Sequence, residues 1–343
     1  MKRGNLTAFW LVLVLFGTVQ MGRAQDPHYT QFYANQPLLN PAFTGAALGP
    51  RVSMNYRAQW VAIPGSFRQF AFGYDQPLQF GRSLQGIGVL LHSDQAGEGN
   101  LTKLNAMLNY SFAIQFGSRR NPQYLRFGLN AGIEQASIDM LKLRFPDQID
   151  PRDGFIYATN EPPAQSRINP DIGAGVAYYN EYAWAGVSVA HITEPTQDFL
   201  NTSGTATDVL PRRFTVTGGV RLPVGPPNDP EKITVSPALL FMTQRNFNQL
   251  NLGTYVGIDP VLFGVWYRTN YNNFNGDFIA SDAIAGLVGF KEGIFSIGYS
   301  YDYTLSRLTN GISGGSHEIA IVMEFERNKK STFKHRKLPC PRF

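Results

Sequence analysis

A single cysteine, Cys340, stands in 343 residues, so no internal disulfide is available, and none lies near an N-terminal cleavage point where a lipid could be attached. Long hydrophobic runs are missing too. The one candidate, largely apolar from Leu6 to Phe16, is eleven residues long, against the roughly 20 that a helix needs to cross ~30 Å of hydrocarbon. Flanked by Lys2 and Arg3 and closed by Gly22-Arg23-Ala24, that run is expected to be a signal peptide over residues 1–24, with the exported chain starting at Gln25. Acid is absent from both ends. Of 30 basic residues, three lie in the leader and seven in residues 327–343, where no Asp or Glu occurs; the remainder carries 20 basic residues against 25 acids, about −5. The basic pI therefore belongs to a tail, no basic stripe crosses the body, and nucleic-acid binding loses its compositional support.

Period-2 alternation is abundant. Leu104, Ala106, Leu108, Tyr110, Phe112, Ile114 and Phe116 occupy every even position of one run, against Lys103, Asn105, Asn109, Ser111 and Gln115. The next run sets Leu125, Phe127, Leu129, Ala131 and Ile133 against Arg126, Asn130 and Glu134. A later one stacks Phe295, Ile297, Tyr299, Tyr301 and Tyr303, and the last carries Ile319, Ile321, Met323 and Phe325 opposite Glu318 and Glu324. Further segments start near Val52, Phe70, Ile87, Ile172, Ala183, Phe214, Ile233, Leu250, Val261 and Ala283. About fourteen strands result, an even number, as a single-chain outer-membrane barrel of antiparallel strands requires. The expected organisation is a transmembrane β-barrel over 51–326, an N-terminal periplasmic or plug segment over 25–50, and a periplasmic basic tail over 327–343.

Connection lengths and aromatics bear on the same expectation. With the first strand rising from the periplasm, the inner turns Asn180-Glu181, Asp259-Pro260 and Lys291-Glu292-Gly293 are tight, and the outer connections 140–169, 191–212, 270–278 and 304–316 are long. The joint near 63–66 is too short and that at 223–231 too long for strict alternation. Tyr74 and Tyr178 fall at inner strand ends, Tyr301 and Tyr303 at an outer one, as two interfacial girdles require. The alternative is a large water-soluble all-β protein, which needs a core to cover every apolar face; a lipid belt covers them without a second layer.

Residues 25–50 read differently, with Pro27, Pro37, Pro41 and Pro50 and a turn-forming Asn40-Pro41 step. Gln31-Phe32-Tyr33-Ala34-Asn35, then Leu39-Asn40-Pro41-Ala42-Phe43-Thr44-Gly45, then Tyr56-Arg57-Ala58-Gln59-Trp60 resemble the start of mature PorP/SprF family proteins of the Bacteroidetes type IX secretion and gliding-motility machinery. Gly315-Ser316-His317-Glu318-Ile319 is similar to the family's closing motif, and Cys340-Pro341-Arg342-Phe343 to tails of its gliding-type branch. The resemblance implies an integral outer-membrane protein supporting export. Its partners would be other type IX components, a periplasmic ring or lipoproteins, or a large secreted surface protein carrying a C-terminal sorting domain.

The residues expected to matter are Asn40, Pro41 and Phe43, shaping the N-terminal segment, and Arg57 and Trp60, where the first strand meets it; all five are equally readable as a structural seal. Lys329, Lys330, Lys334, Arg336 and Lys337 could dock on an acidic periplasmic partner or anionic lipid, or form a solvated end. Chemistry has little support. His92-Ser93-Asp94 holds triad residue types, but neighbours in a strand point to opposite faces. The five histidines are scattered without i, i+4 pairing, so no metal or cofactor is expected, and Gly86-Ile87-Gly88 lacks the rest of a dinucleotide loop. A long-range pair such as His191 with a serine on another strand remains open. The stronger rival is a passive diffusion channel lined by Lys103, Arg126, Asn130 and Glu134.

Overall fold

Alternation between lipid and lumen dictates the architecture, and the strand residues sort accordingly. A computed structural model of the chain describes residues 26, 28–80, 83–118, 121–150, 152–160, 164–197, 209–272, 280–306 and 308–325. The strands are β1 (Arg51–Gln59), β2 (Phe67–Phe80), β3 (Ser83–Ala96), β4 (Leu101–Gly117), β5 (Pro122–Asp139), β6 (Ala164–Tyr179) and β7 (Ala183–Ala190). They continue as β8 (Arg213–Val220), β9 (Ile233–Gln244), β10 (Phe247–Ile258), β11 (Val261–Asn272), β12 (Ala280–Glu292), β13 (Phe295–Thr304) and β14 (Ser316–Glu324). Leu222–Pro223 prolongs β8 along β9. Each strand pairs antiparallel with its neighbours in sequence, and β1 pairs with β14 from Arg51↔Glu324 to Gln59↔Ser316. The sheet thus closes into a fourteen-stranded barrel without free edges. Among the described residues no helix is long and apolar enough to cross a membrane.

Burial is inverted relative to a water-soluble protein. Leu108, on the outer wall of β4, is 68% exposed, and Tyr110, Ile114, Phe127, Leu129, Ile133, Phe295, Ile297, Tyr299 and Ile319 are exposed beside it around the barrel. Their in-strand neighbours Ser111, Arg126, Asn130, Glu134, Ser300, Asp302 and Glu318 face the interior, and all but the half-buried Asn130 are buried. An apolar belt outside and a polar filling inside is the arrangement hydrocarbon enforces, with the backbone N–H and C=O groups of the strands paired to neighbouring strands.

The two ends of the barrel differ. One joins β2 to β3, β4 to β5, β6 to β7, β10 to β11 and β12 to β13 by four residues or fewer, and β8 to β9 by a longer stretch. The other carries 60–66, 97–100, 140–163, 191–212, 273–279 and 305–315, but also a two-residue turn, Arg245 and Asn246. One expected loop is shorter than the sequence suggests: β6 begins at Ala164 rather than near Ile172, because residues 164–171 pair with the far end of β5, Ala164 opposite Asp139. Since β7 pairs with β6 only from Ala174 to Tyr179, the upper part of β6 rises beyond its next neighbour.

Candidate functional site: a segment folded into the lumen

Residues 28–50, the described stretch leading into β1, lie largely buried inside the barrel. The short helix Gln36–Leu39 takes Pro37 in its first turn, where a missing N–H costs nothing. It is followed by the 3₁₀ turn Pro41–Phe43, whose N-cap Asn40 accepts a hydrogen bond from the Ala42 N–H at 2.9 Å. Asn40 Nδ2 reaches into the wall and donates to Val176 O and Val187 O, at 3.1 and 3.2 Å, on β6 and β7. Ser188 Oγ donates to Leu39 O at 2.6 Å. Glycines in the wall make room: a Cβ on Gly128 would collide with the backbone of Pro41 and Ala42, and one on Gly175 with the Asn40 side chain.

Apolar contacts hold the middle of the segment. Phe32 stands edge-on to Trp266 at 5.0 Å and Tyr33 to Tyr255 at 4.7 Å, while Phe43 is buried against Gly186. Burying Phe32, Tyr33 and Phe43 is worth about 2 kcal/mol each.

Charged side chains fasten both ends. At the turn end, Asp75 accepts from the Gly45 N–H at 2.8 Å and from Arg51 Nε at 3.0 Å. Arg126 donates to Thr44 O at 2.7 Å and to Gly45 O at 3.2 Å. Towards the loop end, Glu318 receives the N–H groups of Thr30 and Gln31 at 2.7 and 3.0 Å. Arg57, 1% exposed, pairs with Asp302 at 2.8 Å and Glu318 at 3.3 Å and donates to Thr30 Oγ1 at 2.9 Å. Arg268 repeats the motif on Asp302 and Thr30, both at 2.8 Å.

Nearer the loop mouth, three wall residues converge. His191 Nδ1 lies 2.7 Å from Asp171 Oδ2 and 3.6 Å from Glu134 Oε2, and its Nε2 lies 2.8 Å from Asp26 Oδ2. Asp26 also pairs with Arg213 at 2.9 Å. Among the described residues, Glu134, Asp171 and His191, all buried, are placed so that together they could hold a metal ion. A cavity of about 60 Å³ adjoins them, lined by Asp26, His92, Lys103 and Arg213 among others.

The expected site residues separate into groups. Asn40, Pro41, Phe43 and Arg57 are all buried in the lumen, but Arg57 joins Thr30, Asp302 and Glu318 rather than the Asn40 turn. Trp60 does not join them: just past β1, half-buried, it stands edge-on to Phe67 at 5.3 Å and donates its backbone N–H to Gly315 O at 2.8 Å. Lys329, Lys330, Lys334, Arg336 and Lys337, and the leader over 1–24, lie outside the described residues. His92 and Asp94 point inward and Ser93 does not, as alternation requires. Composition concealed Gln31, Thr30 and the carboxylates Asp302 and Glu318; the signal for the last two was an acid at an inward position of an otherwise apolar-alternating strand. Asp26 contacts Gln244, Arg213 and His191, all at strand ends of the loop mouth, whereas residue 50 and Glu324 stand at the turn end. The segment therefore threads the lumen lengthwise instead of capping one mouth.

In the connection between β5 and β6, Ile149–Asp150 pairs antiparallel with Gly154–Phe155. Asp150 accepts from the Arg152 N–H at 2.8 Å and the Tyr157 hydroxyl at 2.9 Å, and Arg144 lies 5.0 Å over the Phe155 ring. Leu141, Ile149, Phe155, Ile156 and Tyr157 are exposed.

Residues 21–323 match a family model described as the type IX secretion system membrane protein PorP/SprF. A comparison with curated proteins gives no match. Among solved structures the chain is similar to the CymD monoaromatic hydrocarbon channel, with 11% identity over 90% of this chain and 95% of that one and a TM-score of 0.45. It is also similar to the toluene transporter TodX of P. putida (8% identity, 86% and 95% covered, TM-score 0.41). A third is Salmonella typhi OmpF (10%, 80% and 97%, 0.36).

Proposed function

Because the chain belongs to the PorP/SprF family of type IX secretion system membrane proteins, we propose that it acts in the outer membrane without chemistry of its own, supporting export or surface anchoring of proteins that carry a C-terminal sorting domain. The match over 21–323 carries this reading. Taking the short-turn end as periplasmic, by the usual alternation, the basic tail 327–343 follows β14 into the periplasm, where ring components or lipoproteins would meet it. The exposed apolar hairpin between β5 and β6 then faces the cell exterior, as a contact for a secreted protein. Asp26, the first described residue, lies at that same outer mouth, whereas both termini were expected in the periplasm. Gliding motility is the setting in which such an anchoring role would be seen.

Support for a partner role over a passive channel comes from the filled lumen. Residues 28–45 occupy the barrel axis, and among the described residues two cavities beside them hold about 60 and 20 Å³, room for a few waters. Deleting the chromosomal copy tests the proposal: one or more proteins with a C-terminal sorting domain should disappear from the cell surface or medium, while general outer-membrane permeability stays unchanged. An intact secreted proteome combined with slower uptake of small solutes would favour the channel.

A further inference from the structure

We propose that Glu134, Asp171 and His191 form a binding site for one divalent first-row transition ion, of the Zn²⁺ or Mn²⁺ type, inside the loop-side half of the barrel. The three ligand atoms, Glu134 Oε2, Asp171 Oδ2 and His191 Nδ1, lie within 4.8 Å of one another. The Nδ1 separations of 2.7 and 3.6 Å match the ~3 Å spacing of donors that each sit about 2.1 Å from a shared ion. One imidazole nitrogen with two carboxylate oxygens suits Zn²⁺ or Mn²⁺ better than the all-oxygen shells of Ca²⁺ or Mg²⁺.

The groups behind the ligands are arranged as a metal site requires. Asp26 Oδ2, 2.8 Å from His191 Nε2, accepts that N–H and leaves Nδ1 as the free lone pair, and Arg213 holds Asp26 in place at 2.9 Å. The distal oxygen of each ligating carboxylate is engaged elsewhere. Glu134 Oε1 accepts from Gln197 Nε2 at 3.1 Å, and Asp171 Oδ1 from the Ile172 N–H at 2.8 Å. The inward-facing oxygens are thereby fixed. An independent observation marks the open side: His92 lines the adjoining cavity of about 60 Å³, and its buried Nε2 has no hydrogen-bond partner. That nitrogen, or water in the cavity, would complete the shell. The ligands come from β5, β6 and the residue after β7, and Asp26 from the threaded segment, so the ion would tie the wall to the segment at its loop-side end.

The test uses the full-length barrel, purified in detergent with its tag removed, stripped with EDTA and dialysed against Zn²⁺ or Mn²⁺ alone. Elemental analysis should find one equivalent per chain, and Co²⁺ should give visible d–d bands. Glu134→Gln and Asp171→Asn should each weaken binding by about tenfold or more, and Asp26→Asn by about 10- to 100-fold although it is no ligand. Heat-modifiable gel migration confirms that each variant remains a folded barrel. No ion on the wild-type chain, which leaves His191 as an imidazolium clamped between Asp26 and Asp171, overturns the proposal. So does undiminished binding in folded variants, which would assign the metal to other histidines.

Discussion

Arg57 shows how much a single residue in this lumen supports. Its guanidinium neutralises two buried carboxylates, Asp302 and Glu318, and touches Thr30 of the threaded segment. Replacing it with Met leaves both acids without that partner, and breaking such a buried pair costs about 3–5 kcal/mol. Urea unfolding in lipid vesicles should show that loss, and the double variant with Glu318→Gln should recover part of it. Asn40→Ala removes two bonds to the wall and the cap on Ala42, so a loss of about 1–3 kcal/mol is expected on the same assay. The sequence singled out Asn40 and Pro41 by their turn-forming step and Arg57 by its place where the first strand meets the segment, and all three are buried in the lumen. The partners of Arg57 were not legible, since 245 and 261 residues separate it from Asp302 and Glu318 and only closure of the sheet brings β13 and β14 against β1.

At the scale of elements, alternation made the strands readable: all fourteen expected starting points fall within strands, because each residue of a barrel wall sees either lipid or lumen. Boundaries read less well. Residues 164–168 have no clean alternation, and their strand character comes from pairing with β5. The inward glycines carried a signal that went unread: Gly86, Gly128 and Gly175 are where the segment's backbone or side chains press against the wall. Gly128→Val should push the 3₁₀ turn off its seat. Limited proteolysis from the outside should then cut within residues 26–50, which the wild-type chain should resist. Removing residues 25–50 altogether should raise single-channel conductance in planar bilayers from near zero to a stable open level, because fourteen strands enclose space that the segment occupies. Unchanged, negligible conductance after the deletion would show that other interior side chains suffice to close the pore.

The described molecule is a lipid-facing wall built around its own N-terminal segment, held by buried ion pairs and offering loops at one mouth. The wall and its family resemblance were readable from the sequence; the lengthwise threading and the Glu134, Asp171 and His191 cluster were not, since both depend on which strands meet across the barrel. On the proposed reading the barrel works through what docks on it. The decisive measurement is therefore crosslinking in native outer membranes, followed by purification of the full chain in mild detergent and mass spectrometry of what accompanies it. The account predicts recovery of type IX secretion components or of a secreted protein crosslinked through its C-terminal domain. Repeated recovery of the barrel alone, together with solute conductance of the intact chain, would contradict it.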